Sequence, residues 1–293
     1  LHCKGSACPF QSRCPLVQMG KTQDNPSGKA PVGLDCILEA TLLRDAATSY
    51  LQEYQVDPVR TMITNVQGSI NLLRLALENN VRILQASTSE VYGTAQFVPI
   101  TELHPKQPQS PYSASKIGAD AIADSFYRSF DLPITIVRPF NTFGPRQSAR
   151  AVIPTIITQI ASGAKQIKLG SLNPTRDFTY VTDTIEAFKA VACCDNAVGQ
   201  VINVGSNFEI SIGETAQLIT EIMGANIEML GDPQRFRPER SEVERLFASN
   251  ERLCSMTDWT LKFNGLDGFR RGLYETIDWF TKPENLAYYK TNL

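Results

Sequence analysis

After residue 45, segments with apolar residues at helical spacing alternate with short, continuous apolar runs. Helices, with apolar residues at helical spacing, are predicted at 66–80, 113–130, 151–162, 182–194 and 211–224. Strands, which are short runs bounded by Gly, Pro or Asn, are predicted at 81–86, 132–139, 166–170, 178–181 and 200–205. Because strands that alternate with helices are typical of a parallel sheet covered by helices, the pattern predicts an α/β fold.

Residues 1–45 have a different character. They are rich in Gly, Pro and Ser and show no convincing period, so we assign no element to them. The chain starts with Leu1 rather than Met, as expected if its natural start is missing.

Composition narrows the function classes. The chain has 293 residues, of which 42% are hydrophobic and 20% are charged, which is typical of a soluble globular protein. Its net charge of −2 and pI near 5.8 disfavour a nucleic-acid partner, which would require a basic excess. No apolar stretch approaches the ~20 residues of a membrane span, and the first residues lack the apolar core of a signal peptide. We therefore expect a cytoplasmic protein with no membrane partner.

Seven cysteines occur, and their spacing indicates free thiols. They are Cys3, Cys8, Cys14, Cys36, Cys193, Cys194 and Cys254. A disulfide framework is typical of small secreted chains, and zinc sites usually contain closely paired cysteines. Neither pattern is present, so we expect no metal site.

The predicted strand 81–86 is followed by a polar stretch, Ser87, Thr88, Ser89 and Glu90. Burying these groups without partners would cost a few kcal/mol. In open α/β sheets, ligands bind beyond the carboxyl ends of the strands. We therefore expect this stretch to form part of a ligand site.

Tyr112 and Lys116 lie four positions apart at the start of a predicted helix. At that spacing the two side chains share one helix face, and a nearby ammonium favours the phenolate. A Tyr of lowered pKa would be a general base suited to a sugar hydroxyl. The same spacing also occurs by chance in exposed helices. Asn141, which ends the next strand, brings a third polar group to the same sheet edge.

Five motifs in this order carry a resemblance to a known family: "STSEVYG", "YSASK", "RPFNTFGPRQ", "RDFTYVTDT" and "INVGS". Residues 55–293 resemble the extended short-chain dehydrogenase/reductases, which modify sugar nucleotides with NAD. The resemblance implies an incomplete Rossmann-like, doubly wound parallel sheet with a smaller C-terminal α/β substrate domain. It places a partial dinucleotide-binding domain at 46–145 and a partly interleaved sugar-nucleotide domain at 146–293.

The resemblance also assigns roles to the polar residues. Thr88 would hydrogen-bond the reacting hydroxyl, Tyr112 would take its proton, and Lys116 would lower the Tyr pKa and hold the nicotinamide ribose. Ser89 and Glu90 stand where the family's 4,6-dehydratases carry their acid and base, with Glu90 as the base for C5. NAD contacts are implied for Ala46, Ala47, Asn65, Ser87, Tyr112, Lys116 and Pro139.

For the substrate, the resemblance implies contacts from Thr88, Asn141, Arg176 and Arg237, the arginines binding the diphosphate. Segments such as "TSEVYGTAQFVPI" are most similar to 4,6-dehydratases of UDP-N-acetylglucosamine, so a UDP-N-acetylhexosamine is expected. A UDP-sugar 4-epimerase and a UDP-glucuronate decarboxylase remain alternatives. Arg138 is interpreted as structural. A homodimer is expected through the helical segments at 66–77 and 114–130.

One family motif is missing. The glycine-rich turn G-x-x-G-x-x-G, whose backbone approaches the NAD pyrophosphate, does not occur anywhere in the chain. Either a fragment is joined to unrelated sequence, or the fold has lost half of its cofactor cradle. A further alternative is therefore an inactive fragment or a non-catalytic protein that binds a sugar nucleotide.

Overall fold

The computed structural model of the chain describes residues 57–232, 235, 236 and 238–290. Its α-helices are α1 (Pro58–Met62), α2 (Gly68–Asn79), α3 (Pro111–Phe130), α4 (Val152–Ala161), α5 (Val181–Ala192), α6 (Ile212–Ile222), α7 (Glu251–Met256), α8 (Gly265–Thr281) and α9 (Pro283–Lys290). Its strands are β1 (Ile83–Ala86), β2 (Ile134–Pro139), β3 (Asn141–Phe143), β4 (Gln166–Leu169), β5 (Thr175–Tyr180), β6 (Val201–Val204), β7 (Glu209–Ser211) and β8 (Glu228–Gly231). A π-helical turn (Ile63–Gln67) joins α1 to α2, and a short 3₁₀ helix (Ser89–Tyr92) follows β1.

The central sheet is parallel, with the strand order β1-β2-β6. Successive residues of β2 contribute to opposite faces: Ile136 packs with α2 and α3, whereas Val137 packs with α5. Burial of both faces explains why these strands are apolar throughout rather than alternating. The parallel sheet with helices on both faces confirms the predicted α/β, Rossmann-like fold.

A second sheet has the order β3-β5-β7, and β4 pairs with β8. Strands β3 and β5 are parallel, but β7 runs antiparallel to β5, which the sequence pattern did not predict. The turn after β6 redirects the chain, because backbone N–H groups of Ser206 and Asn207 donate to the buried Asp177 carboxylate on β5. The carboxylate thus fixes where the chain turns back along β5.

The second sheet packs on α8 through an aromatic core. Phe178 stacks on Phe269 at a ring-centroid distance of 5.6 Å, and Phe143 meets Phe269 edge-on at 5.1 Å. Gly272 permits this approach, since a Cβ there would lie 2.7 Å from the Phe143 ring. This core anchors β3 and β5, which carry Asn141 and Arg176.

The predicted helices and strands are confirmed, with bounds shifted by at most three residues. The elements that the pattern did not predict are α1, the short strands β3, β7 and β8, and the helices α7 to α9. The domain bounds stay a prediction, although β3 from the first range pairs with β5 from the second. Among the described residues, no helix has the length and apolarity required to cross a membrane. Cys193, Cys194 and Cys254 are free thiols.

Candidate active site

The polar stretch after β1 forms a tight 3₁₀ helix, Ser89–Tyr92. Thr88 caps it, and its side-chain oxygen accepts a hydrogen bond from the Glu90 N–H at 3.3 Å. Gly93 ends it at a φ of +65°, and a Cβ at this position would lie 2.5 Å from the Gln107 carbonyl oxygen. Sequence and geometry agree here, since glycine adopts this conformation without steric cost.

Helix α3 begins opposite this stretch with a complete capping box. The Ser110 hydroxyl accepts from the Ser113 N–H, and the Ser113 hydroxyl accepts from the Ser110 N–H. Pro111 occupies the first helical position, where its missing N–H costs nothing. The cap fixes the first turns of α3, which carry Tyr112 and Lys116.

Both Thr88 and Glu90 influence Tyr112, Thr88 through a hydrogen bond and Glu90 through its charge. Its phenol is buried and hydrogen-bonded to the Thr88 side chain. Burial raises the pKa of Tyr112 well above its usual value, the Glu90 charge raises it further, and the Thr88 hydrogen bond acts in the opposite direction. The expected lowering of this pKa is therefore wrong for this structure, because burial and carboxylate charge dominate.

Lys116 is buried, and its ammonium donates to the Ala86 carbonyl oxygen at 2.5 Å. This bond directs the ammonium to the end of β1. Burial lowers the pKa of Lys116, and the nearby Asp120 charge raises it.

Two residues with expected cofactor contacts, Asn65 and Ser87, donate hydrogen bonds to α3. The Asn65 amide donates to the Ser115 hydroxyl at 2.8 Å, and the Ser87 hydroxyl donates to Asp120 at 2.8 Å. Pro139 ends β2 at the same sheet edge. Ala46 and Ala47 lie outside the described residues.

The residues expected to bind the substrate differ in whether their polar atoms already have hydrogen-bond partners within the protein. Asn141 begins β3, and its Oδ1 is buried without a hydrogen-bond partner among the described residues. The Arg176 guanidinium is buried and donates to Glu242 at 3.1 Å and to the Thr175 carbonyl oxygen at 2.9 Å. Its fork is thus turned toward the protein. Arg237 lies outside the described residues.

For NAD, the described residues fit one end of the molecule. Tyr112 and Lys116 share a helix face. The buried Asn141 carbonyl oxygen has no hydrogen-bond partner among the described residues and is suited to an amide donor. The phosphate end has no such match, because the chain contains no glycine-rich turn.

The sequence interpretation did not include Asp120 or Tyr92. Asp120 lies four residues after Lys116, so helical spacing could have identified it. Its carboxylate pairs with Arg138 at 3.0 Å, which agrees with the structural interpretation of that arginine. Tyr92 gave no such signal, since its partners lie on other elements.

Comparison with known proteins identifies the family. The model of the GDP-mannose 4,6 dehydratase family matches residues 45–271. The chain belongs to this family. Membership confirms the expected kinship with NAD-dependent sugar-nucleotide dehydratases and epimerases of the extended short-chain type, and the family uses NAD.

Curated relatives of this dehydratase-family chain perform different reactions. It is 34% identical over 218 residues to the low-salt glycan biosynthesis protein Agl12 of Haloferax volcanii, covering 74% of this chain and 67% of the relative. It is 30% identical to human dTDP-D-glucose 4,6-dehydratase, covering 82% and 68%. It is also 30% identical to UDP-glucuronic acid decarboxylase 1 of Xenopus tropicalis, covering 78% and 54%.

Solved structures agree with this family fold. dTDP-glucose 4,6-dehydratase from Bacillus anthracis, in complex with NAD, has a TM-score of 0.68 at 32% identity, covering 77% of this chain and 70% of that one. A UDP-N-acetylglucosamine 4-epimerase from Methanobrevibacter ruminantium has a TM-score of 0.69 at 28% identity, covering 78% and 73%.

Proposed function

We propose that the chain catalyses the 4,6-dehydration of a UDP-N-acetylhexosamine. One observation carries the proposal: Thr88 and Glu90 follow the carboxyl end of β1, and both act on the Tyr112 phenol, Thr88 through a hydrogen bond and Glu90 through its charge. A hydroxyl, a phenol and a carboxylate are the groups that this sequence of proton transfers requires.

The first step concerns the C4 hydroxyl of the sugar. Thr88 orients this hydroxyl, and Tyr112 takes its proton. Lys116 and Tyr112 would hold the nicotinamide ribose of NAD, and the Asn141 side chain would meet the substrate or the nicotinamide edge. When bound, NAD supplies the hydride acceptor for C4 and the hydride donor for C6.

The second step is the loss of water. Once C4 is a ketone, the C5 proton is acidic; Glu90 removes it, and the C6 hydroxyl leaves as water with that proton, relayed through Ser89. When hydride returns to C6, C5 takes up a proton from solvent, to which Tyr112 releases the proton it took from the C4 hydroxyl. The Ser89 hydroxyl is a poor acid, so it assists departure of the C6 hydroxyl indirectly through hydrogen bonding. A 4-epimerase needs neither group, and therefore the Ser89–Glu90 pair supports dehydration over epimerisation.

The substrate assignment rests on resemblance. The segments around Thr88, Asn141 and Arg240 are similar to UDP-N-acetylglucosamine 4,6-dehydratases. An epimerase acting on the same nucleotide sugar is among the structural relatives. The decarboxylases carry an acidic residue and a glycine between their Tyr and Lys, where this chain has Ser113, Ala114 and Ser115.

The first experiment measures binding of NAD and of UDP to the purified chain by calorimetry. The second incubates the chain with NAD and, in turn, UDP-N-acetylglucosamine, dTDP-glucose, GDP-mannose and UDP-glucuronate, and determines the product mass. Dehydration removes the mass of one water, decarboxylation removes that of carbon dioxide, and epimerisation leaves the mass unchanged. The Tyr112→Phe variant is the control and should give no product.

A second candidate is a non-catalytic protein that binds a sugar nucleotide. The absence of the glycine-rich turn from the sequence favours it. UDP binding without NAD binding, together with no mass change for any of the four sugars, would support this candidate and refute the dehydratase.

A further inference from the structure

A buried polar network connects the two halves of the site. Arg138 on β2 donates to the Asp120 carboxylate on α3, at 3.0 Å from Nη2 and 3.3 Å from Nε. Its Nη1 donates to the Tyr92 hydroxyl at 2.9 Å, and that hydroxyl donates to Asn203 Oδ1 on β6 at 2.7 Å. Arg138 and Asp120 are almost completely excluded from solvent, and Tyr92 is fully buried.

The two ends of this network are the two catalytic elements. Tyr92 is the last residue of the 3₁₀ helix that carries Ser89 and Glu90. Asp120 lies one helical turn beyond Lys116 and also accepts from Ser87, directly after β1. The connection therefore runs from the Glu90 helix, through β2, to the helix that bears Tyr112.

A helix of four residues has little stiffness of its own. Its internal backbone bonds are long, at 3.5 Å from the Val91 N–H to Thr88 and 3.3 Å from the Gly93 N–H to Glu90. Its orientation therefore depends on tertiary contacts. These contacts include the bond from the Gln107 N–H to the Val91 carbonyl oxygen at 2.9 Å, and the Tyr92 hydroxyl, which is held from two sides. They also include the packing of Val91 and Tyr92 in a buried apolar cluster, which the loss of a hydroxyl leaves in place.

We propose that Tyr92, Arg138 and Asp120 form a positioning network that fixes the Glu90 carboxylate relative to Tyr112 and Lys116. These residues act through others and need not touch the substrate. The proposal rests on the dehydratase function only for its catalytic consequence, because the geometric consequence holds for the chain without ligands. A small displacement of the base from C5 slows proton removal much more than it slows C4 oxidation.

The test is the Tyr92→Phe variant, which keeps the ring and removes only the hydroxyl. Its matched control is Tyr180→Phe, which removes the part-buried hydroxyl on β5 that donates to Glu275 on α8 at 2.6 Å. Hydrogen exchange of the segment 88–93, followed by mass spectrometry, should accelerate about tenfold in Tyr92→Phe and remain unchanged in Tyr180→Phe. Unchanged exchange in Tyr92→Phe would overturn the proposal, whether or not the chain is active.

A kinetic measurement on the same variant distinguishes a positioning role of the network from a purely structural one. In Tyr92→Phe, formation of the 4-keto-6-deoxy product should fall about tenfold, while reduction of NAD in a single turnover changes less than about threefold. An equal loss in both steps would mean general damage and would refute the network's role. If the parent chain makes no product, the proposed function fails, and the exchange measurement alone decides the positioning.

Discussion

Replacing Glu90 by Gln tests the proposed reaction most directly. The substitution keeps the size of the side chain and removes its charge and its ability to take a proton. Loss of a positioned general base costs about 10²- to 10⁴-fold, or about 3 to 5 kcal/mol of transition-state free energy. We expect the rate of product formation to fall by this factor while C4 oxidation continues.

The same substitution has a second, electrostatic consequence. The Glu90 charge is one of the causes that raise the pKa of Tyr112. Removing it lowers that pKa, so that the phenolate forms at lower pH. The rising limb of C4 oxidation against pH should therefore move toward lower pH in Glu90→Gln.

The assay follows reduced NAD by its absorbance in a single turnover and product by mass, across a range of pH. Reduced NAD should accumulate in Glu90→Gln, because oxidation is no longer followed by loss of water. Glu186→Gln, at an exposed carboxylate on α5, is the control of equal charge change. Dehydration at the parent rate by Glu90→Gln would show that another group removes the C5 proton.

Three further predictions concern the support of the site. Gly93→Ala should destabilise the chain by about 2 kcal/mol or more in urea unfolding, because Gly93 has a positive φ and a close backbone neighbour. By contrast, Gly68→Ala should stabilise the chain by about 0.5 kcal/mol, because Gly68 lies in a helix with open space around it. Ser110→Ala should cost about 1 kcal/mol by the same assay through loss of the α3 cap. Glu242→Gln, which removes one partner of Arg176, should tighten UDP binding about fivefold by calorimetry if that guanidinium binds the diphosphate.

The controls are chosen within the same elements. Ser125→Ala removes an exposed hydroxyl in the middle of α3 and should leave the urea midpoint unchanged. Glu239→Gln changes a charge three residues before Glu242 and should leave the UDP Kd unchanged. An effect of Ser125→Ala as large as that of Ser110→Ala would contradict the capping argument. Equal UDP affinity in the parent chain and in Glu242→Gln would show that Arg176 does not bind the diphosphate.

The central sheet could be predicted because its strands are fully buried. The apolar run at 132–139 has few polar positions that could face water, so it predicts a strand covered by helices on both faces. Strand β2 is buried in this way. Strands β7 and β8 are short and partly exposed, and their partners lie far away in the chain, so no local pattern marks them. Helix α8 contains Gly268 and Gly272, which weaken its local propensity, but both are buried against packed neighbours.

In the candidate site too, local sequence patterns predict some residues, whereas others depend on contacts between distant parts of the chain. Strand ends and helical spacing bring Thr88, Tyr112 and Lys116 together, and these are signals within single elements. The partner of Arg176 is Glu242, which lies 66 positions further along the chain, and no spacing rule relates the two. Direction of the Lys116 ammonium toward Ala86 depends on packing of α3 against β1, and this packing is a tertiary property.

The charges around Tyr112 link its chemistry to its cofactor. Glu90 and Asp120 both raise the pKa of this buried phenol, and the Lys116 ammonium is bonded to the end of β1. A positive charge brought beside Tyr112 would lower that pKa, and the oxidised nicotinamide ring carries one. Loss of NAD binding would thus also leave Tyr112 protonated near neutral pH. An ultraviolet difference titration of the parent against Tyr112→Phe should show the phenol ionising at lower pH when NAD is present. If NAD leaves the ionisation pH of the Tyr112 phenol unchanged, the cofactor does not affect this base and the proposed coupling is wrong.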